Sequence, residues 1–223
     1  MTVEDDFNRL NVIKIVNCGE SAYVLYFAGQ DLSERNQNVR RFTYALDQQR
    51  PEWLTEIVPS FDTVMLCFSP MDIDRYDFFK WLKQIKHFDS GAVTSAHHVI
   101  NVCYDRYDRF DLASVAKATE CSIDDVIAMH AAKTYTAYAV GFAPGFAYLG
   151  ETNKSIQLPR LASPRTKVPA GAVAIADSYT AVYPSESPGG WHLIGVLAEE
   201  ECSMFERNVQ VGDTIEFRDT RRD

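Results

Sequence analysis

The stretch Gly141–Gly150, GFAPGFAYLG, continued by Gln157–Gly195, QLPRLASPRTKVPAGAVAIADSYTAVYPSESPGGWHLIG, decides how this chain folds. Seven of the eleven glycines and six of the nine prolines lie between Gly141 and Gly195. Proline fixes φ and glycine opens the left-handed region, so the backbone here turns sharply and often. Short apolar or alternating runs separate the turns, at Ala172–Ala176, Ala181–Tyr183 and Trp191–Ile194. Short strands joined at Pro/Gly corners predict a compact β-barrel or sandwich.

Upstream of that stretch the pattern changes. Asn11–Val16, Ala22–Phe27, Leu54–Val58 and Thr63–Phe68 read as strands. Ser33–Gln49 reads as a helix with Ser33 as N-cap and Val39, Phe42 and Leu46 on one face. A second helix spans Asp72–Lys86, acidic in its first turn and basic in its last. These elements predict a small α+β domain of ferredoxin type over residues 1–92, ending in the polar run DSGAVTSA, Asp89–Ala96. Residues 93–223 form the second, mostly β domain. Its predicted elements are a strand at Val99–Tyr104, short helices at Asp111–Ala118 and Ser122–His130, and a strand at Tyr135–Phe142. A hairpin over Val209–Phe217 closes it.

Net charge −9 and a pI near 5.0 argue against a general nucleic-acid or anionic-membrane binder, which needs a basic face. The opening MTVEDDFNRL lacks the positive region of a signal peptide, and no apolar run reaches membrane-spanning length. The five cysteines show no C-x-x-C spacing and read as buried reduced thiols, so the expected compartment is the cytoplasm.

No P-loop, dinucleotide fingerprint, zinc-protease helix or nucleophile elbow occurs, and no grouping has metal-ligand spacing. His97 and His98 are adjacent on a strand and so point to opposite faces. What remains is a concentration of cations on stiff loops. Pro159-Arg160 and Pro164-Arg165, followed by Lys167, hold their charges with little freedom to lose, which suits binding of a carboxylate or phosphate. Salt bridges to the chain's many acids are the plainer alternative. Gly189 and Gly190 place successive amides where a backbone nest would receive an oxyanion, and His192 beside them is a candidate proton carrier. Phe142 and Phe146 offer either a ligand-facing floor or core packing. Tyr183 and Thr180 can bond a ligand or be satisfied locally, and His130 is placed to cap helix carbonyls.

GFAPGFAYLG, PRLASPRTKVPAGAVAIA, and TAVYP with SPGGWHLIG resemble the signature of the KipI / PxpB / allophanate hydrolase subunit 1 family. Weaker agreement reaches Val102-Cys103-Tyr104 and Gly19-Glu20-Ser21. The resemblance implies an N-terminal α+β domain and a C-terminal cyclophilin-like barrel. It also implies a subunit that acts with a KipA/PxpC-type and a LamB/YcsF (PxpA)-type partner. Together they form a bacterial ATP-dependent 5-oxoprolinase, with ATP as co-substrate, that opens the 5-oxoproline lactam to glutamate. Arg160, Arg165 and Lys167 then hold phosphate or carboxylate, with Gly189 and Gly190 facing developing charge. Two other roles occur in the family: inhibition of a sensor histidine kinase, and allophanate or urea utilisation. This chain departs from the family pattern at Tyr179, at Thr134 and over Asp105–Arg109.

Overall fold

In the computed structural model, which describes residues 7–85, 94–104, 110–197, 201 and 209–220, the chain divides into two units, Met1–Thr94 and Ser95–Asp223. The first unit contains β1 (Val12–Asn17), β2 (Ala22–Phe27), α1 (Leu32–Asp47), β3 (Leu54–Ser60), β4 (Thr63–Phe68) and α2 (Arg75–Leu82). Both helices start on an aspartate. The Asp31 carboxylate accepts the Glu34 amide at 2.9 Å, and that of Asp74 accepts the Asp77 amide at 2.8 Å. Ser33, expected as the first cap, lies inside α1, because Asp31 two residues earlier already satisfies the free amide.

The four strands form an antiparallel array in the order β1-β2-β4-β3. Val39, Phe42 and Leu46 of α1, with Phe78 and Leu82 of α2, pack with Leu25, Phe27, Val64 and Leu66 in one core. The α+β character is therefore present. The element order is ββαββα, which differs from the βαββαβ of a ferredoxin-type unit because a β1–β2 hairpin precedes α1.

The second unit contains β5 (His97–Cys103), α3 (Leu112–Ala118), α4 (Ile123–Ala131), β6 (Thr134–Val140), β7 (Ala147–Gly150), β8 (Arg165–Val168), β9 (Ala172–Ala176), β10 (Tyr179–Val182), β11 (Ser187–Gly189), β12 (His192–Leu197) and β13 (Thr214–Asp219). Seven of these close a ring in the order β6-β13-β5-β12-β9-β10-β7 and back to β6. Only β13–β5 is a parallel pair within it. A barrel so closed leaves no edge strand of its own. The remaining strands, β8 and β11, make a separate two-stranded ribbon.

The expected hairpin over Val209–Phe217 is not formed. Gly212-Asp213 does turn, but β13 runs out of that turn between β5 and β6. The Asp213 carboxylate organises the approach: it accepts the amides of Ala96 and Gln210 and meets His98 Nε2 at 3.0 Å. His97 instead contacts Thr214 Oγ1 at 3.0 Å. Most of the Asp89–Ala96 run lies outside the described residues. The expected burial of the cysteines is corrected: Cys18 and Cys103 are exposed and Cys67 and Cys121 only half-buried, while Cys202 lies outside the described residues.

Every strand of the ring sends side chains into one cluster, including Ile100, Val102, Tyr135, Leu149, Ile175, Val182, Ile194 and Phe217. Helices α3 and α4 add Leu112, Val115, Val126 and Ile127. The α4 start is a capping box between Ser122 and Asp125. Near the other end of α4, His130 is fully buried and does not cap carbonyls, because its ring turns into the barrel. Tyr104 Oη lies 2.6 Å from Nδ1 and Thr180 Oγ1 lies 2.8 Å from Nε2. The Thr180 hydroxyl donates to the Ala174 carbonyl, so it must accept from His130. Nε2 therefore carries the proton, and Nδ1 accepts from the Tyr104 hydroxyl. Burial lowers this imidazole to about 3.

That depressed value fixes the sign of a pH dependence. The unfolded chain takes up a proton on His130 below its ordinary value of about 6.5, which the folded chain resists down to about 3. The stabilisation is complete above the upper value and is lost as pH falls toward the lower one. Urea midpoints of the wild-type chain should drop more steeply between pH 7 and 4 than those of His130→Gln. Parallel profiles would show that His130 is not held neutral.

Candidate functional site

Strand periodicity gives β9 two buried faces. Val173 and Ile175 point into the barrel, whereas Ala172, Ala174 and Ala176 point to a second cluster. That second cluster takes Phe146 at the entry to β7, Ala181 of β10, Tyr183, Trp191 and Leu193. Small alanines leave room above the strand, and aromatic rings occupy it. Phe146 stands edge-on to Tyr148, Tyr183 and Trp191, with centroids 5.0, 5.3 and 5.8 Å away. Phe142 extends this group outward: it is 67% exposed, has φ 84°, and meets Phe146 at 5.3 Å.

Both Pro-Arg steps deliver their guanidinium groups to Trp191. Arg165 opens β8; its Nη1 donates to the Trp191 carbonyl at 3.3 Å and its Nη2 to Asp111 Oδ1. Asp111 precedes α3 without capping it through its side chain, because its other oxygen accepts the Leu193 amide at 2.8 Å. The main-chain amide of Asp111 donates back to the Leu193 carbonyl at 2.7 Å. Arg160 places its guanidinium carbon 5.9 Å from the Trp191 ring centroid, a cation–π arrangement, with a loose 4.0 Å approach to Asp177. The loop carrying Arg160 is anchored through its backbone. Asp177 donates to the Leu158 carbonyl and Leu161 to the Gly190 carbonyl, both at 2.7 Å.

Tyr183 sits between these groups. Burial pushes its phenol up, while a hydrogen bond with the Trp191 main chain and the charges of Arg160 and Arg165 pull it down. The ring lies directly on Gly189, where an added Cβ would come within 2.3 Å of Tyr183 Oη. Gly189 is thus demanded by close approach. The expected nest is absent: neither Gly189 nor Gly190 has positive φ, and Gly189 is a strand residue opposite Arg165.

Other sequence candidates are placed elsewhere. Thr180 is fully buried inside the barrel, bonded to His130 and to Ala174, and faces no ligand. Lys167 is 77% exposed on β8 and pairs with Glu186 at 3.0 Å. His192 does not present a free imidazole. Its Nε2 meets the Pro159 carbonyl at 2.9 Å, and its Nδ1 is buried without a hydrogen-bond partner among the described residues. Tyr179 packs over Gly150, where an added Cβ would meet its ring at 2.9 Å, and Thr134 opens β6. Asp105–Arg109 lies outside the described residues. Among the described residues no three His, Cys, Asp or Glu side chains group as a metal site, and no helix is long and apolar enough to cross a membrane.

Residues 13–208 match the family described as carboxyltransferase domain, subdomain C and D. The chain is 34% identical over 200 residues to the B component of 5-oxoprolinase from Bacillus subtilis, covering 82% of this chain and 81% of that one. It is 31% identical over 212 residues to the same 5-oxoprolinase component of Haemophilus influenzae, covering 92% and 97%. The crystal structure of TTHA0988 superposes with a TM-score of 0.76 at 30% identity. It is matched over 89% of this chain but only 39% of that longer protein. The match runs through both units, so the chain as a whole, and not the barrel alone, is of the carboxyltransferase C and D subdomain class. Within that class the chain belongs to the KipI/PxpB family.

Substituting Gly189→Ala should expel the Tyr183 ring from its seat and lower stability by about 1–3 kcal/mol, the usual cost of overpacking. Thermal unfolding with near-ultraviolet dichroism of the aromatic cluster checks this. An unchanged midpoint and spectrum would show that the seat is slack.

Proposed function

We propose that this chain is a subunit of an ATP-dependent 5-oxoprolinase, acting with PxpA- and PxpC-type subunits and inactive alone. The observation that carries the reading is the delivery of Arg160 and Arg165 to one aromatic residue, Trp191. The names of the relatives support the substrate, and the much longer TTHA0988 chain supports a module that works as part of a larger assembly.

The chemistry fits the residues. 5-Oxoproline carries one carboxylate and one resonance-stabilised lactam. Opening such a lactam gains from ATP through an activated, phosphorylated intermediate. Two guanidinium groups neutralise either the carboxylate or a phosphate, one held at the Trp191 carbonyl and the other over its ring. Lys167, paired with Glu186, takes no part in this arrangement.

In the complex reconstituted with both partners, glutamate release should depend on ATP and on 5-oxoproline. Arg160→Ala with Arg165→Ala should lower kcat/KM by about 100-fold or more, since each charge-assisted bond contributes roughly 1.5–3 kcal/mol. Wild-type turnover in that double variant would remove the anion site. The exposed Phe142 favours a second reading, a KipI-like face that docks on a histidine kinase. Inhibition of kinase autophosphorylation by the wild-type chain, lost in Phe142→Ser, would support it.

A further inference from the structure

We infer that Asp111 and His192 are positioning residues, which hold Arg165 and Arg160 against Trp191, and that His192 works as a fixed hydrogen-bond donor and not as a proton carrier. The inference rests on the reading of the two arginines as the anion-binding pair.

The hydrogen bond at His192 fixes which ring nitrogen carries its proton. A carbonyl only accepts, so the 2.9 Å contact with the Pro159 oxygen requires the proton on Nε2. In the neutral ring Nδ1 is then an acceptor, and it is buried with no partner. A proton arriving there would find no side-chain or main-chain acceptor among the described residues. One nitrogen is committed to the main chain and the other is sealed off, so neither reaches a reacting atom. What the ring does is fix Pro159, the residue immediately before Arg160. With the bonds to the Leu158 carbonyl and from the Leu161 amide, it completes a three-residue anchorage around a guanidinium that has only a 4.0 Å ionic contact of its own.

Asp111 does the corresponding work for Arg165 through its side chain. Its two carboxylate oxygens take separate donors, Arg165 Nη2 and the Leu193 amide, and its own amide returns a bond to the Leu193 carbonyl. A carboxylate bound at both oxygens cannot rotate. It therefore presents the guanidinium in one orientation, with Nη1 on the Trp191 carbonyl. Of five guanidinium N–H donors these two contacts use two, which leaves three to meet an anion.

The test is steady-state kinetics of the reconstituted complex, with kcat, KM and the pH profile measured for each variant and melting midpoints recorded alongside. Arg165→Ala first identifies the anionic substrate whose KM rises. For that same substrate, Asp111→Asn and His192→Leu should each raise KM about tenfold and leave kcat within about threefold, a loss of binding of about 1.4 kcal/mol. His192→Gln, whose side-chain amide can donate to Pro159 from a similar reach, should restore KM, and its pH profile should superimpose on that of the wild type. If His192→Gln is as impaired as His192→Leu, or loses a limb of the pH profile, His192 carries protons and the inference is overturned. If Arg165→Ala raises KM while Asp111→Asn and His192→Leu do not, positioning fails and the anion site stands. If Arg165→Ala changes nothing, the anion site itself fails. Should Asp111→Asn melt below the assay temperature, the two His192 variants decide the outcome.

Discussion

Strand β9 has to be buried on both faces at once, and the second unit is arranged around that requirement. Five consecutive buried residues, Ala172–Ala176, allow no polar side to the strand. One face closes the barrel through Val173 and Ile175, and the other is capped by Phe146, Tyr183 and Trp191. The wall of the barrel and the floor of the candidate site are the same five residues. Movement of the aromatic cluster would therefore cost core packing, which makes the platform under the two arginines stiff.

Stiffness matters because a guanidinium on a free side chain loses much rotamer freedom when it binds an anion. Here that freedom is restricted in two different ways. Arg165 is held by a carboxylate gripped at both oxygens, whereas Arg160 is held through the backbone on either side of it. Lys167 shows the contrast. It stands on the same β8 strand, pairs with an exposed glutamate, and keeps the mobility of a surface ion pair.

Much of this was legible in the residues. The Pro/Gly corners located the barrel strands, and two Pro-Arg steps five residues apart located the cations. Three features were not legible, each for a physical reason. Asp111 read as a helix start because its true partner is 54 residues away. His192 read as a free imidazole because its partner is a main-chain carbonyl, which every residue possesses and no sequence pattern marks. Thr180 stayed open between ligand contact and local satisfaction, because only the register places it opposite Ile175, bonded to His130. The hairpin drawn over Val209–Phe217 failed similarly: local alternation shows a strand, but not that its neighbours are β5 and β6.

The parallel pairing of β13 with β5 joins segments more than 110 residues apart, as the contacts of Ala96 and His97 with Asp213 and Thr214 record. During synthesis the first unit can complete its antiparallel array from neighbouring hairpins long before that partner exists. The ring cannot shut until Thr214–Asp219 has been made, so β5 and β6 wait beside each other with a gap one strand wide. Such a gap is an open pair of edges. Until β13 is made, the risk of unwanted strand addition therefore includes the half of the chain that carries the aromatic cluster.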